Sequence, residues 1–243
     1  MIPCKKYLII EWFFFGENVN FVPFSGHHIL ISAIVITLST TLIYWAKKQS
    51  EQIQFFTGNI ISSSISLIVI FGSILNIYKP DFNYQEDLPL HLCSFLALVI
   101  PVLSYTIKYI YYEIFFFLIL AGTLQSLITP SDYNFLNFTF FRYWFVHSGL
   151  VLFMLYATFV YKMRPTIKSV FKSFIGMQFY MILMFLINYL LGSNYFYTNR
   201  KPDATTLLDV FGEWPQYIFV VELIVIPFFL LIYFPFYLTR KKE

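Results

Sequence analysis

The sequence predicts an all-α, polytopic membrane helix bundle of about seven transmembrane helices. Three observations predict it. Hydrophobic residues make up 58% of the 243 and charged residues only 12%, with a mean hydropathy of +0.68, whereas a soluble domain is about 25% charged. Apolar stretches close to the roughly 20 residues needed to cross a bilayer recur along the chain. Basic residues also alternate between rich and poor loops, as they do in polytopic membrane proteins.

Residues 1–27 read as an interfacial N-terminal segment, and 28–243 as a single transmembrane helical domain. In the first, Lys5 and Lys6 precede a short apolar run, 7–15, interrupted by Glu11. Gly16-Glu17-Asn18 follows, a poor match to the small-residue cleavage site of a signal peptide. A segment lying on the membrane surface fits better. Spans are then expected at 28–46, 56–78, 88–107, 113–129, 140–161, 173–191 and 216–238. The fourth is the weakest: it begins near Glu113 and stops at Pro130. Pro101 and Pro227 fall inside the third and seventh, where proline is tolerated and can kink the helix.

One set of loops and ends carries Lys47, Lys48, Lys108, Lys162, Arg164, Lys168, Lys172, Arg240, Lys241 and Lys242. The other carries Lys79, Arg142, Arg200 and Lys201. The basic-rich set is expected in the cytoplasm, which puts the N-terminus outside and the C-terminus inside; Lys5 and Lys6 run against this. A net charge of +3 is too small to suggest nucleic acid. Cys4 and Cys93 give neither a disulfide framework nor a zinc-finger spacing.

Against this apolar background, Cys93, Gln125, His147, Asn188 and Glu222, with Asn76 nearby, fall near the same end of different spans. With a rise of about 1.5 Å per residue, Cys93 is expected roughly 8 Å and His147 roughly 10 Å below the entry point. Polar groups are expensive in a bilayer and usually mark a site. A single layer of them predicts a pocket open to one side.

Cys93 and His147 are the candidate catalytic pair. A thiol becomes a good nucleophile when a base takes its proton, and an imidazole at the same depth serves as that base and later as the acid. Glu222 is expected to hold the second imidazole nitrogen as the third member of a triad, with Gln125 or Asn188 donating to an oxyanion. Equally, a buried Cys is often a small hydrophobe.

His91, Arg142, Arg200 and Lys201 complete the candidate substrate or oxyanion contacts. The two loop cations suit a lipid phosphate, although they serve equally to neutralise the acidic residues of their own loop, and Arg142 can simply snorkel to the interface. His91 and Cys93, two apart on one helix, are expected to face opposite ways, so both reach one metal only if the helix is unwound. A Zn²⁺ site from Cys93, His147 and Glu222 stays open as an alternative; the leading reading requires no metal and no cofactor. His27 and His28 are expected at the interface.

Six strings carry a family resemblance: Leu-Pro-Leu-His-Leu-Cys (88–93), Ala-Gly-Thr-Leu-Gln-Ser-Leu-Ile-Thr-Pro (121–130), Val-His-Ser-Gly (146–149), Asn-Tyr-Leu-Leu-Gly-Ser-Asn-Tyr (188–195), Lys-Pro (201–202) and Leu-Leu-Asp-Val-Phe-Gly-Glu-Trp-Pro-Gln-Tyr (207–217), with Phe-Ser-Gly-His-His (24–28) ahead of them. They resemble the YwaF-type bacterial integral membrane proteins, which are similar to eukaryotic transmembrane protein 164. That relative is regarded as an acyltransferase moving a fatty acyl chain onto lysophospholipid with a Cys and a His; the matching positions here are Cys93 and His147. More distantly, the chain looks like the androgen-induced family of lipid hydrolases, which use a threonine and a histidine.

The resemblance implies an acyltransferase or acyl hydrolase of the bacterial plasma membrane, acting on phospholipid or lysophospholipid near the outer leaflet. Its partners would be membrane lipids. The rival is a non-catalytic binding or transport protein for a small solute or lipid head group, although carriers usually continue their polar path through the midplane. A zinc-dependent membrane hydrolase is third.

Overall fold

The computed structural model describes residues 22–130, 137–202 and 207–239. Among the described residues the secondary structure is entirely helical. The α-helices are α1 (Gly26–Ala46), α2 (Glu51–Ile77), α3 (Leu92–Thr106), α4 (Tyr109–Ile128), α5 (Phe138–Phe159), α6 (Ile167–Leu191) and α7 (Gln216–Leu238), with short 3₁₀ turns at Tyr195–Tyr197 and Leu207–Phe211. Six α-helices are long and apolar enough to cross a membrane; α3, at 15 residues, is shorter. Their outward faces carry exposed Leu38, Phe179, Leu223 and many similar side chains. Water tolerates no apolar surface of that extent, and lipid is its natural solvent. The chain is an integral membrane protein.

Helix starts follow local chemistry. Ser25, Ser50 and Asn137 accept hydrogen bonds at the N-caps of α1, α2 and α5, from the N–H groups of His28, Ile53 and Phe140. Such caps satisfy donors that the first helical turn leaves over. Ser169 Oγ accepts from Thr166 N (3.0 Å) at the start of α6. Gly192 closes that helix at φ 65°, in the left-handed region where only glycine avoids a Cβ penalty. The helix continues through Pro101 in α3 and through Pro227 in α7.

The weak fourth span is the structural hub. It begins at Tyr109 rather than near residue 113, and it packs against α3, α5, α6 and α7. Glu113, expected to mark its edge, is buried one turn inside. Its carboxylate pairs with Lys172 and accepts from Ser169 Oγ (3.0 Å), while Ser173 Oγ donates to its backbone carbonyl (2.8 Å). A paired carboxylate is compatible with a helix interior, so its charge was a false boundary. The short span is instead the third, because residues 88–91 are not helical.

Ile107, in the left-handed region at φ 48°, turns α3 directly into α4. This hairpin sets Cys93, fourteen residues before Ile107, level with Gly122, fourteen after Lys108. The neighbouring pair agrees: a Cβ on Gly122 would stand 3.7 Å from the Leu92 side chain. By contrast α1 is peripheral, packing mainly on α5 and α2. His28, expected at the interface, is buried and bonds through Nε2 to the carbonyl of Leu127 (2.9 Å), tying α1 to the end of α4. Of the N-terminal segment, residues 1–21 lie outside the described residues.

Candidate functional site

A cavity of about 650 Å³ opens at the end of the bundle where α3, α5 and α7 begin. Six predicted site residues line it: His91, Cys93, Gln125, Arg142, His147 and Glu222. Met177 and Met181 of α6 form an apolar wall, and Phe196, Tyr197, Thr198 and Leu208 of the loop after α6 close over it.

Cys93 owes its position to a helix that starts late. His91 is the N-cap of α3, so Cys93 lies in the first turn. The first intrahelical bond runs from Phe95 N to His91 O (2.9 Å), and the His91 ring makes no capping hydrogen bond. The N–H groups of Leu92, Cys93 and Ser94 precede that bond and point along the axis, where the positive end of the helix dipole favours an anion. Because His91 sits ahead of the helix, the expectation that it faces away from Cys93 is corrected: both line the cavity. The His91 ring packs edge-on to Tyr195 at 5.2 Å between centroids and tilted to Tyr197 at 5.3 Å.

His147 is oriented by its own helix. Its Nδ1–H donates to the carbonyl of Tyr143 (2.8 Å), and the two rings lie 4.1 Å apart. With Nδ1 as the donor, Nε2 is the nitrogen left to accept a proton. Tyr143 is held in turn by its hydroxyl, which donates to Ser126 O on α4 (2.5 Å). The expected third triad member is therefore displaced. Glu222 instead accepts from Gln178 Nε2 (2.6 Å), a bond between α7 and α6.

Asn188 is not among the cavity-lining residues. Its Oδ1 accepts from Ser193 Oγ (2.6 Å) and Tyr195 N (2.8 Å), and its Nδ2 donates to Tyr195 O and Thr198 Oγ1 (2.8 Å each). With every amide position taken, it folds the loop that roofs the cavity and has no donor left for an oxyanion. Lys201 pairs with Glu213 (2.8 Å) and lies 3.9 Å from Asp209, the alternative foreseen for a loop cation. Arg200 is exposed and does not line the cavity.

The roof is pinned from two sides. Buried Tyr195 donates its hydroxyl to Tyr84 O (2.8 Å) and accepts from Leu88 N (3.0 Å), joining the loop after α6 to the loop before α3. Trp214 Nε1 donates to Thr198 O (2.8 Å), and the Tyr217 hydroxyl donates to Tyr197 O. Burial pushes the Tyr197 phenol above its ordinary range, and nearby Cys93 adds to this, so Tyr197 offers an O–H rather than a phenolate.

Sequence reasoning passed over Tyr143, Tyr197 and Thr123. Thr123 is buried, its hydroxyl finds no oxygen or nitrogen partner, and the polar group it meets is the Cys93 thiol. Tyrosines among 19 in one chain carry little signal, and Thr123 stands out only once the α3–α4 hairpin is known. Among the described residues no group of three or more His, Cys, Asp or Glu is placed to hold a metal ion, so the zinc reading has no ligand set there.

A sequence model described as the TMEM164 family matches residues 23–233. No curated protein and no solved structure matches the chain.

Proposed function

This chain belongs to the TMEM164 family, and we propose that it is a membrane-embedded lipid acyltransferase or acyl hydrolase using Cys93 and His147. The observation that supports this reading is their sharing of one cavity, with the thiol in the first turn of an uncapped helix. The same cavity joins Arg142 and Glu222 to a methionine wall, a combination suited to an amphiphile.

In the proposed cycle, His147 Nε2 takes the thiol proton and Cys93 Sγ attacks the ester carbonyl carbon of a phospholipid. The first-turn N–H groups of α3 receive the oxyanion. As the carbon–oxygen bond breaks, His147 returns the proton to the departing alkoxide, and a lysophospholipid and an acyl thioester remain. A lysophospholipid hydroxyl or water, deprotonated by His147, then attacks the thioester and regenerates the thiol. Arg142 and Glu222 supply the polar wall for the head group of the acceptor.

The basic residues of the opposite loops, Lys47, Lys48, Lys108, Lys162 and Arg164, support a cytoplasmic position for that end. The site then faces the outer leaflet of a bacterial plasma membrane.

The test is intact-mass spectrometry of the protein in phospholipid nanodiscs, for wild type, Cys93→Ser and His147→Ala. A hydroxylamine-labile gain of one acyl chain in wild type, absent from both variants, supports the cycle. No adduct, with no lysolipid formed or consumed by any of the three, overturns it in favour of a binding or transport protein.

A further inference from the structure

Thr37, Thr40, Thr106, Thr129 and Thr158 each turn their hydroxyl onto the carbonyl four residues earlier. This is the usual way for a helical threonine to satisfy its donor inside an apolar bundle. Thr123 does not. Its hydroxyl is fully buried on α4 and finds no oxygen or nitrogen partner, although a buried polar group left unpaired is costly. It stands beside the Cys93 thiol, with which it interacts, and the preceding residue, Gly122, lines the cavity with Cys93.

A neutral thiol is a poor acceptor, whereas a thiolate is a strong one. The idle hydroxyl is thus arranged for a charge that the resting protein does not carry. Preorganised donors of this kind lower the cost of forming an anion without any rearrangement at the moment of reaction.

We propose that Thr123 is a further catalytic residue, donating its hydroxyl to the Cys93 thiolate. The proposal rests on Cys93 being the nucleophile, and it adds the group that stabilises it. As His147 removes the thiol proton, the Thr123 O–H turns to Sγ. When Sγ forms its bond to the acyl carbon its charge passes to the ester oxygen, and Thr123 relaxes to its weak contact with the neutral sulfur. No atom is gained or lost by Thr123 in the cycle.

The test reads thiol reactivity separately from acyl transfer. In a Cys4→Ser background Cys93 is the sole cysteine of the chain, and its iodoacetamide alkylation rate is followed by intact mass across pH. Thr123→Val is expected to lower the rate about tenfold near neutral pH and to displace the profile upward, because a hydrogen bond to a charged group is lost. Thr123→Ser is expected to restore the wild-type profile. Should the valine variant fail to elute as a monodisperse species, Thr123→Ala is read in its place.

A wild-type profile in the hydroxyl-free variant, or a serine variant as slow as the valine one, overturns the proposal. The two readings fail independently. A displaced profile with no acyl adduct in wild type leaves the thiol–threonine pair standing and removes the acyl chemistry. An adduct with an undisplaced profile does the reverse.

Discussion

His147 donates its Nδ1–H to the carbonyl of Tyr143, 2.8 Å away and one helical turn earlier. A backbone acceptor fixes the tautomer as a carboxylate would, without placing a second charge in the bilayer. Tyr143→Phe keeps that carbonyl and the ring against the imidazole, and removes only the hydroxyl bond to Ser126 O. A bond of that kind is worth about 1 kcal/mol, so adduct formation should slow about fivefold, whereas His147→Ala should abolish it. Time-resolved intact mass measures both.

Glu222 gives a second prediction, because its carboxylate meets Gln178 (2.6 Å) rather than the imidazole. Glu222→Ala should leave the rate of thioester formation within about twofold of wild type. Discharge to a lysophospholipid acceptor should slow about tenfold, the cost of one charged hydrogen bond, so the thioester should accumulate. If acylation itself stops, Glu222 belongs to the nucleophilic step after all.

Asn188→Ala would orphan Ser193 Oγ, Tyr195 N, Tyr195 O and Thr198 Oγ1 together. At about 1 kcal/mol or more for each buried group left unpaired, the loss should be at least about 4 kcal/mol. A thermal melt in detergent should show it, and Cys93 should alkylate faster as the roof loosens. A melt like that of the wild type would mean that the loop is held by other contacts.

At the opposite end of the bundle, Lys172 meets the buried carboxylate of Glu113. Removing the lysine alone leaves an uncompensated charge, which costs about 3–5 kcal/mol. Lys172→Met should therefore destabilise more than Glu113→Gln, and the double variant should recover most of the loss. Equal destabilisation by the two single variants would argue that Ser169, which also donates to Glu113 (3.0 Å), carries the site.

The bundle was legible because hydropathy and span length report the solvent directly. Errors arose where a side chain had a partner that no linear pattern reveals. Glu113 looked like a boundary because its lysine is 59 residues away. Asn188 shared the depth of the reactive layer, yet depth does not tell which way an amide turns. His91 was placed on the wrong side of Cys93 because the helix was started at 88 rather than at Leu92. The grouping of Cys93 with Gln125, His147 and Glu222 was accessible, since entry points alone fix relative depth. What Nδ1 of His147 bonds to was not, because a backbone carbonyl has no signature in sequence.

The brevity of α3 has a consequence for the bilayer itself. Fifteen residues of helix extend about 22 Å, some 8 Å less than a hydrocarbon core of about 30 Å. The deficit, roughly one and a half turns, is filled by the turn at residues 88–91 and by the vestibule beneath the tyrosine-pinned loop. The distance from the head-group plane to the sulfur is therefore set by a missing length of helix. It is a gauge cut into the fold, and thickening or thinning the surrounding membrane should slide lipid ester bonds past the sulfur as if along a ruler.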